Sequence, residues 1–378
     1  MIYLDHGATS WPKPEPVHRA VDWALRHCGN PGRGGHDIAM AAAKVVFDCR
    51  CRASGLFGCQ PEQVVFTANC TQGLNMALHS LVRPSSRVVI SGFEHNAVTR
   101  TLHGLQADIR VAGRRLFCWA DTLREFEKAL QCGAETAVFT HVSNVFGYIL
   151  PVEEMASLCK KYGVPFVIDA AQSAGILPVN MQTLGADFIA MPGHKGLLGP
   201  QGTGLLLCKD QARPLLFGGT GSESLRQQMP AFLPDRLEAG TLNVPGIAGL
   251  CAGIKWIQKV GLDTIFRREQ RAAESCAQIL QEMGFLVFAG PHQAGTVSFV
   301  ADDPETLAQY LAEQGIAVRA GLHCAPLAHE SAGTLDTGTV RISFGHTAGQ
   351  NQISALRRVL GRWGGQTGLD RPDFYRNV

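Results

Sequence analysis

Short apolar runs recur along the first two thirds of the chain and alternate with stretches of helical pattern, such as residues 151–162. Runs that are apolar throughout and only a few residues long predict strands buried on both faces of a mostly parallel sheet. Helices between such strands favour an α/β domain, in which ligands bind beyond the carboxyl ends of the strands. The predicted strands are 64–66, 88–90, 138–140, 166–168, 188–190 and 205–207.

The last third of the chain has a different pattern. A helical pattern over residues 246–271 begins just after Pro245 and predicts a long helix that links two domains. Strands and helices interleave beyond it, which predicts a smaller α+β domain. Its predicted strands are 296–300, 316–319 and 340–343, and its predicted helices are 304–314 and 350–360. We expect an N-terminal segment at 1–15 that packs on the small domain, a large domain at 16–260, a small domain at 261–378 and an exposed tail at 364–378.

Composition narrows the class of protein. A chain of 378 residues that is 46% hydrophobic and 17% charged can bury a sizeable core, as a globular enzyme does. The formal charge is only +2, and no basic run carries interleaved aromatics, so nucleic acid is not an expected partner. We expect no membrane span, because no segment approaches the roughly 18 uninterrupted apolar residues that a span needs. The N-terminus also lacks an export pattern, which predicts a cytoplasmic protein.

The 12 cysteines are dispersed along the chain. Without an export signal, such cysteines are typical of buried thiols rather than of a disulfide framework. Cys49 and Cys51 form a CxC pair with no second cluster nearby, and Cys59 and Cys70 do not complete a zinc-ligand spacing. We therefore expect no metal site.

The candidate chemistry starts at Lys195, in the glycine-rich run of residues 193–199. Most lysines are solvated surface residues. Here the glycines allow the backbone to approach a ligand closely, and His194 can donate to a phosphate oxygen. Asp169 follows the predicted strand 166–168, where an aspartate is commonly a helix N-cap. The alternative is that Lys195 and Asp169 together bind pyridoxal phosphate (PLP). The lysine would then form a Schiff base, and the carboxylate would keep the ring nitrogen protonated. We favour a PLP enzyme.

Other polar residues near the predicted strand ends are candidates for the same site. Residues 67–75 follow a strand and begin a helix, whose backbone N–H groups and Thr71 hydroxyl could bind an anion, although an ordinary capped helix has this pattern too. His95 could stack on a cofactor ring or be a satisfied polar residue. Gln172 could donate to the phenolic oxygen of the ring. Asn144 is ambiguous by itself.

Two residues of the last third also point to chemistry. Cys324 lies in the segment 319–327 near an arginine and a histidine, and cationic neighbours raise the thiolate fraction of a nucleophilic cysteine. A buried, inert thiol is the alternative. Arg341 interrupts an apolar strand, so it needs an anionic partner there. A substrate carboxylate, bound through two N–H groups, would be such a partner.

Together these motifs resemble the class V aminotransferase family of fold-type I PLP enzymes, and within it the group II cysteine desulfurases and selenocysteine lyases. The resemblance covers nearly the whole chain, and it also rests on the segments 3–9, 30–36 and 237–241. It implies the PLP-dependent transferase fold of type I. In that α/β fold, a large domain with a mostly parallel seven-stranded sheet is joined to a smaller α+β C-terminal domain.

The resemblance implies a role for each candidate residue. Cys324 would attack the sulfur of L-cysteine, carry it as a persulfide and leave L-alanine. Family members are homodimers that share their active sites, so Thr220, in the segment 219–221, is expected to serve the phosphate of the neighbouring chain. The other implied roles are Lys195 as PLP-binding and catalytic residue, Asp169 at the ring nitrogen, His95 on the ring and as a further catalytic residue, Gln172 and Asn144 near the ring oxygen and the substrate, Cys70, Thr71 and His194 at the phosphate, and Arg341 and Arg319 at the substrate.

Four positions depart from the family pattern and leave the substrate open. His6 and Gly7 replace the usual Asn-Ala, Pro192 replaces a phosphate-binding serine, and Leu322 replaces the first histidine of a His-His-Cys motif. The expected substrate is L-cysteine, with L-selenocysteine as the alternative. A selenocysteine lyase, and a C–S β-lyase or aminotransferase on the same fold, remain alternative functions. A sulfur-acceptor protein and a role in iron–sulfur cluster assembly are further expectations.

Overall fold

A computed structural model of the chain describes residues 1–32 and 34–363. The strands found there are β1 Ile2–Tyr3, β2 Val64–Thr67, β3 Arg87–Ser91, β4 Asp108–Ala112, β5 Thr136–Thr140, β6 Phe166–Asp169, β7 Phe188–Pro192, β8 Gly204–Cys208, β9 Leu286–Phe288, β10 Thr296–Val300, β11 Ile316–Ala317, β12 Arg319–Gly321 and β13 Thr339–Ser343.

Helices cover both faces of the sheets. None of those in the described part of the chain is long and apolar enough to cross a membrane. The α-helices are α1 Glu15–His27, α2 Asp37–Phe57, α3 Cys70–Leu81, α4 Asn96–Gly104, α5 Trp119–Gln131, α6 Val152–Tyr162, α7 Met181–Leu184, α8 Val244–Val260, α9 Leu262–Glu282, α10 Pro304–Glu313, α11 Pro326–Ala332 and α12 Gln350–Leu360.

The large sheet contains seven strands in the order β2-β8-β7-β6-β5-β3-β4. The strands β4, β3, β5, β6 and β7 are parallel to one another, whereas β8 runs antiparallel to both β7 and β2. All the predicted strands of the first two thirds are present. The edge strand β4 was not predicted, because Asp108 and Arg110 alternate with its apolar residues and give no continuous apolar run.

The prediction of strands buried on both faces is confirmed by the packing. Successive residues of one strand belong to different hydrophobic clusters: Phe139 and Ile168 pack on one face, whereas Val138 and Val167 pack on the other. A strand can place consecutive side chains in two cores only if both faces of the sheet are covered. The fold is therefore the predicted α/β architecture, with its polar strand ends available for a site.

The helix predicted over residues 246–271 is two helices, α8 and α9, so this prediction was wrong in its continuity. Gly261 separates them, with a φ of +91°. Such a φ favours glycine and breaks the helical geometry. Asn243 caps the start of α8 by accepting a hydrogen bond of 3.0 Å from the backbone N–H of Gly246.

The remaining strands form two smaller sheets. The order β12-β13-β10-β9 makes an antiparallel sheet, and β1 pairs in parallel with β11. The predicted strand 316–319 is thus divided between two sheets. The predicted helices 304–314 and 350–360 correspond to α10 and α12, whereas the predicted tail 364–378 lies outside the described residues. The domain limits stay predictions.

The segment 237–241 contributes a structural ion pair rather than a group of the candidate site. Glu238 accepts a hydrogen bond of 2.8 Å from Nη2 of Arg50 on α2, and one of 2.7 Å from the backbone N–H of Phe66 on β2. Both charged groups are buried, so their pairing satisfies what would otherwise be costly isolated charges. This segment therefore fastens α2 to the sheet.

Candidate active site

Predicted site residues follow the carboxyl ends of the large sheet. Asp169 ends β6, whereas His95, Asn144 and Lys195 lie three or four residues beyond β3, β5 and β7. Cys70 begins α3, just after β2. Since β2 and β7 both run antiparallel to β8, β2 has the same direction as β7. All five residues therefore meet at one edge of the sheet, where ligands of such sheets bind.

A cavity of about 370 Å³ lies at this edge, and residues of the strands β12 and β13 also line it. Thr220 does not line it, and instead borders a different cavity together with Asn30. The predicted site residues that line the cavity are Lys195, Asp169, Gln172, His95, Cys70, Thr71, His194, Asn144, Arg319, Cys324 and Arg341.

Lys195 is half-buried and lines the cavity. This burial lowers the pKa of its amine, an effect that the nearby Asp169 carboxylate opposes. The turn that carries Lys195 is held by the N-terminal segment: Ser10 Oγ donates to its carbonyl at 3.0 Å, and Lys13 Nζ donates to the carbonyl of His194 at 2.7 Å. A lysine with a lowered pKa is a better nucleophile and base near neutral pH.

Asp169 is only 2% exposed. Its Oδ1 accepts hydrogen bonds from the backbone N–H of Ala171 at 2.8 Å and from Sγ of Cys70 at 3.4 Å. Its Oδ2 has no hydrogen-bond donor among the described residues. One carboxylate oxygen is thus fixed, and the other can accept from a protonated ring nitrogen. The Cys70 thiol contacts this carboxylate, although the resemblance placed Cys70 at the phosphate.

The start of α3 provides donors for an anion. Asn69 caps the helix by accepting a hydrogen bond of 2.9 Å from the backbone N–H of Gln72. The N–H groups of Cys70 and Thr71 have no acceptor among residues 1–32 and 34–363. Unpaired N–H groups at the start of a long helix bind phosphate well. Across the cavity, burial lowers the pKa of His194 to about 4, so this histidine is neutral near pH 7 and can act as a neutral donor.

His95 has a fixed orientation at the start of α4. Its Nδ1 accepts a hydrogen bond of 3.0 Å from the backbone N–H of Ala97, which assigns the ring proton to Nε2 in the neutral form. Burial lowers the pKa of His95. The ring can therefore stack as a neutral imidazole beside Lys195 and Asp169. Gln172, on the opposite wall, donates from Nε2 to the carbonyl of Gly7 at 2.9 Å.

Arg341 lies on β13 and is 3% exposed. Its Nη2 donates to Oδ1 of Asp5 at 2.8 Å, and its Nη1 donates to the carbonyl of Asn144 at 3.0 Å. Its Nε has no partner within the described part of the chain. An unpaired buried donor costs about 1–3 kcal/mol. Arg341 also lines the cavity, so its guanidinium, which keeps this unused donor, is a candidate partner for a carboxylate.

Cys324 lies on a short turn between β12 and α11, and its side chain is exposed. The turn places both His323 and Cys324 at positive φ, +49° and +57°. Two hydrogen bonds hold this uncommon conformation: Asn144 Nδ2 donates to the carbonyl of His323 at 2.7 Å, and Asn96 donates its backbone N–H to the carbonyl of Cys324 at 2.8 Å. Cys324 thus lines the cavity from a fixed turn.

Comparison with known proteins identifies the family. The model of the aminotransferase class V family matches residues 2–356. The chain belongs to the class V aminotransferase family. This family is PLP-dependent, so the predicted family and cofactor are both confirmed.

Relatives in this family are cysteine desulfurases. The chain is 34% identical over 384 residues to a probable cysteine desulfurase of Pyrococcus abyssi, covering 96% of this chain and 93% of that protein. It is similar to the apo structure of the cysteine desulfurase of Thermococcus onnurineus, with a TM-score of 0.87, 33% identity and coverage of 95% of this chain and 93% of that one. The Escherichia coli cysteine desulfurase CsdA gives a TM-score of 0.82, 25% identity and coverage of 95% and 94%. The predicted fold type is thereby confirmed.

The residues of this class V aminotransferase site fit PLP. A buried amine, a carboxylate with one free oxygen and a helix start with free N–H groups supply what the aldehyde, ring nitrogen and phosphate of PLP need. The unpaired Nε of Arg341 supplies a separate site for the carboxylate of an amino acid. The residue roles taken from the resemblance stay predictions, since no ligand contact tests them.

Two important residues of the site had not been singled out from the sequence. Asp5 binds both Arg319 and Arg341, and Glu94 accepts hydrogen bonds from Ser91 and from the backbone N–H of Thr140. Burial raises the pKa of Glu94 to about 8. Asp5 could have been singled out because it belongs to the segment 3–9, on which the family resemblance rests. For Glu94, the sequence offered only its position next to His95.

Proposed function

We propose that this chain is a PLP-dependent cysteine desulfurase that converts L-cysteine to L-alanine and receives the sulfur as a persulfide on Cys324. The observation that carries the proposal is one cavity that joins Lys195 and Asp169 to Arg341 and to the exposed thiol of Cys324. A lyase or aminotransferase does not need a nucleophilic thiol there. The cysteine desulfurases among the relatives support the same activity.

Binding orients the substrate. Arg341 receives the carboxylate of L-cysteine on its Nε and Nη2, while Asp5 and the Asn144 carbonyl keep the guanidinium in place. Lys195 then lies on the wall from which it takes the α-proton at Nζ, as a general base with a lowered pKa. Bound PLP supplies the electron sink for the charge that develops at Cα. Asp169 keeps the ring nitrogen protonated through Oδ2.

Sulfur transfer uses Cys324. Its thiolate attacks the sulfur of the substrate, so that an S–S bond forms as the Cβ–S bond breaks. The electron pair of the broken bond stays on the carbon side, and Cβ takes a proton to become the methyl group of alanine. The terminal sulfur remains on Cys324, whose exposure allows an acceptor thiol to collect it. The acceptor is a small thiol or a sulfur-carrier protein, and iron–sulfur cluster assembly is one process that uses such sulfur.

The proposal is tested by assaying alanine, pyruvate and sulfide together after incubating PLP-loaded protein with L-cysteine and a reducing thiol. We expect alanine and sulfide in equal amounts. Cys324→Ala should keep PLP and lose this activity, whereas Cys132→Ala, which removes another exposed cysteine, should keep it. Lys195→Ala should abolish turnover. Full desulfuration by Cys324→Ala would contradict the role of Cys324, and pyruvate in place of alanine would identify a β-lyase.

L-Selenocysteine is the alternative substrate, because it differs from L-cysteine by one atom. The assay separates the two when it is repeated with L-selenocysteine and the Cys324→Ala variant. Loss of activity on L-cysteine alone would mean that Cys324 is needed only for sulfur. A wild-type protein that acts on L-selenocysteine but not on L-cysteine would identify a selenocysteine lyase.

We further propose a cytoplasmic homodimer with shared active sites. Free thiols suit a reducing compartment, and all 12 cysteines are free. Large apolar side chains are exposed on α1, α2 and the segment 216–232. Large exposed apolar patches mark interaction sites rather than surfaces that face only water. Asn30 and Thr220 border a separate cavity of about 640 Å³ next to this surface, as expected for residues that serve another chain. The exposed apolar residues are Trp23, Leu25, Ile38, Met40, Phe47, Leu216, Phe217, Leu225 and Phe232.

Co-expression tests the sharing of sites. Alone, chains that carry Lys195→Ala should be inactive and chains that carry Thr220→Ala should be weakly active. In a mixed dimer, one site would combine an intact Lys195 with an intact Thr220 of the other chain, so activity should return in part. A monomer by sedimentation, or no recovery in a proven mixed dimer, would contradict the shared site.

A further inference from the structure

A second cavity adjoins the active-site cavity at Lys195. We name it the back chamber and define it by Lys195, Gln172, His6, Glu269 and His346, which are among the residues that line it. Lys195 and Gln172 also line the active-site cavity. Lys195 and Gln172 thus lie between the two cavities.

Buried polar groups without protein partners line the back chamber. Glu269 on α9 is 4% exposed and makes no hydrogen bond or ion pair with the described residues. His6 and His346 are each 7% exposed, and Nδ1 of each ring has no hydrogen-bond partner in the described part of the chain. A buried carboxyl group and two buried imidazoles would each be costly without partners. Because these three groups line the same cavity, we infer that they share a polar ligand.

The size of the back chamber indicates that the shared ligand is water. It offers about 30 Å³ to the centres of water molecules. One buried water needs about 10–15 Å³ of such space and two to four polar partners, so the chamber accommodates about two waters. Gly295 allows this arrangement, because a Cβ at that position would lie 2.7 Å from Cβ of Glu269. Lys195 itself is a further polar partner on the wall.

The charges around the back chamber favour proton exchange. Burial raises the pKa of Glu269 to about 8, and the neighbouring Arg268 opposes this shift. Burial also lowers the pKa of Lys195, so the two groups titrate closer together than they would in water. His6 and His346 have pKa values of about 4, because of burial and, for His6, also the nearby His346 and Lys13. They are neutral near pH 7 and can each accept and donate a hydrogen bond.

We propose that the back chamber holds two water molecules that connect Lys195 to Glu269 and let the lysine exchange its protons with a buried carboxylate. The inference rests on the proposed function, in which Lys195 takes the α-proton of the substrate. When Glu269 is ionised, which becomes more frequent as the pH approaches its pKa of about 8, the proton then moves from Nζ through one or two waters to the Glu269 carboxylate. No electrons move, and the same proton returns by the reverse path or leaves to solvent. His6 and His346 hold the waters in line.

The first test is the washout of deuterium from L-[2-²H]alanine by PLP-loaded protein in ordinary water. Lys195 removes the label, and exchange in the back chamber replaces it before a proton is returned to Cα. This measurement does not need desulfuration, so it remains informative if the proposed function fails on L-cysteine. We expect Glu269→Gln, which keeps the shape of the side chain but cannot accept the proton, to slow washout by about tenfold or more.

The readouts separate a relay from a structural role. In the wild type, washout should rise with pH through the titration of Glu269, and Glu269→Gln should lose this pH dependence while keeping PLP binding. Glu269→Asp should restore part of the washout. Glu274→Gln, an exposed change on the same helix, should behave as the wild type. Unchanged washout in Glu269→Gln, or no washout in the wild type, would overturn the proposal.

A crystal structure of the holoenzyme gives an independent readout. Two ordered waters within hydrogen-bond distance of Glu269, His6 or His346 are expected, and Glu269→Leu should displace at least one of them. A back chamber without water density would overturn the proposal even if washout were slowed by Glu269→Gln.

Discussion

The carboxylate of Asp5 accepts a hydrogen bond of 2.8 Å from Nη2 of Arg341, although 336 positions separate the two residues in the chain. Oδ2 of the same carboxylate accepts another, also 2.8 Å long, from Nη2 of Arg319. One carboxylate thus lies between two guanidinium groups. It fixes the plane of Arg341 without using its Nε, so the N-terminal segment prepares the site for the carboxylate of the substrate.

Arg341→Lys should weaken substrate binding. Lysine keeps the charge but lacks the planar pair of donors that a carboxylate needs, so we expect the KM for L-cysteine to rise about tenfold or more with a smaller change in kcat. Steady-state kinetics of the PLP-loaded variant measure both. Arg357→Lys is the matched control, because Arg357 pairs with Glu282 on the surface. An unchanged KM would show that the carboxylate binds elsewhere.

Asp5→Asn should destabilise the folded protein. It leaves Arg341, which is 3% exposed, as a buried cation without an anionic partner, a change that typically costs about 3–5 kcal/mol. Thermal or urea unfolding measures the loss. Asp22→Asn removes an exposed ion pair with Arg26 and should leave stability nearly unchanged. Equal effects of the two substitutions would mean that the buried pair has no special role.

The large sheet was predictable because its strands are buried on both faces and therefore read as apolar runs. The strand β4 was missed for the opposite reason, since an edge strand keeps polar residues such as Arg110. Residues 246–271 have a continuous helical pattern, but the pattern of apolar positions does not register the positive φ of Gly261. Local conformation at one glycine thus decided the helix boundary.

The site could be predicted where its chemistry is local. Lys195 and Asp169 lie at strand ends, and Cys324 and Arg341 are unusual among their own neighbours. Contacts such as the one between Asp5 and Arg341 join distant parts of the chain and leave no local pattern. The carboxyl group of Glu269 was invisible for the same reason, because on its helix it is one of several charged residues.

Thiol reactivity should separate Cys324 from the buried cysteines. Cys324 and Cys132 are exposed, whereas Cys70 is buried, and burial beside Asp169 raises the pKa of the Cys70 thiol. A short treatment with iodoacetamide should therefore label Cys324 and Cys132 and leave Cys70 free until the protein is unfolded. Peptide mass spectrometry identifies the labelled sites.

After incubation with L-cysteine alone, Cys324 should carry one additional sulfur atom and Cys132 none. Equal sulfur on both would indicate non-enzymatic transfer.

The buried carboxyl group of Glu269 should make stability fall as pH rises. In the unfolded chain it ionises near its ordinary pKa of 4.5, whereas burial in the folded protein raises the pKa to about 8. Between these values the folded state keeps a proton that the unfolded state has lost, so the folded state is progressively disfavoured. The full effect is present above about pH 8 and reaches at most about 5 kcal/mol.

Glu269→Gln removes this titration and should therefore stabilise the protein more at about pH 9 than at about pH 5. Unfolding of the variant and the wild type at both values measures the difference. The comparison is made between the two proteins because Glu94, whose pKa burial also raises to about 8, contributes its own pH dependence to both. Glu274→Gln, exposed on α9, should show no such difference. If the stability difference between Glu269→Gln and the wild type is the same at both pH values, Glu269 does not hold its proton in the folded state, and the pH dependence expected of the relay from Lys195 is lost.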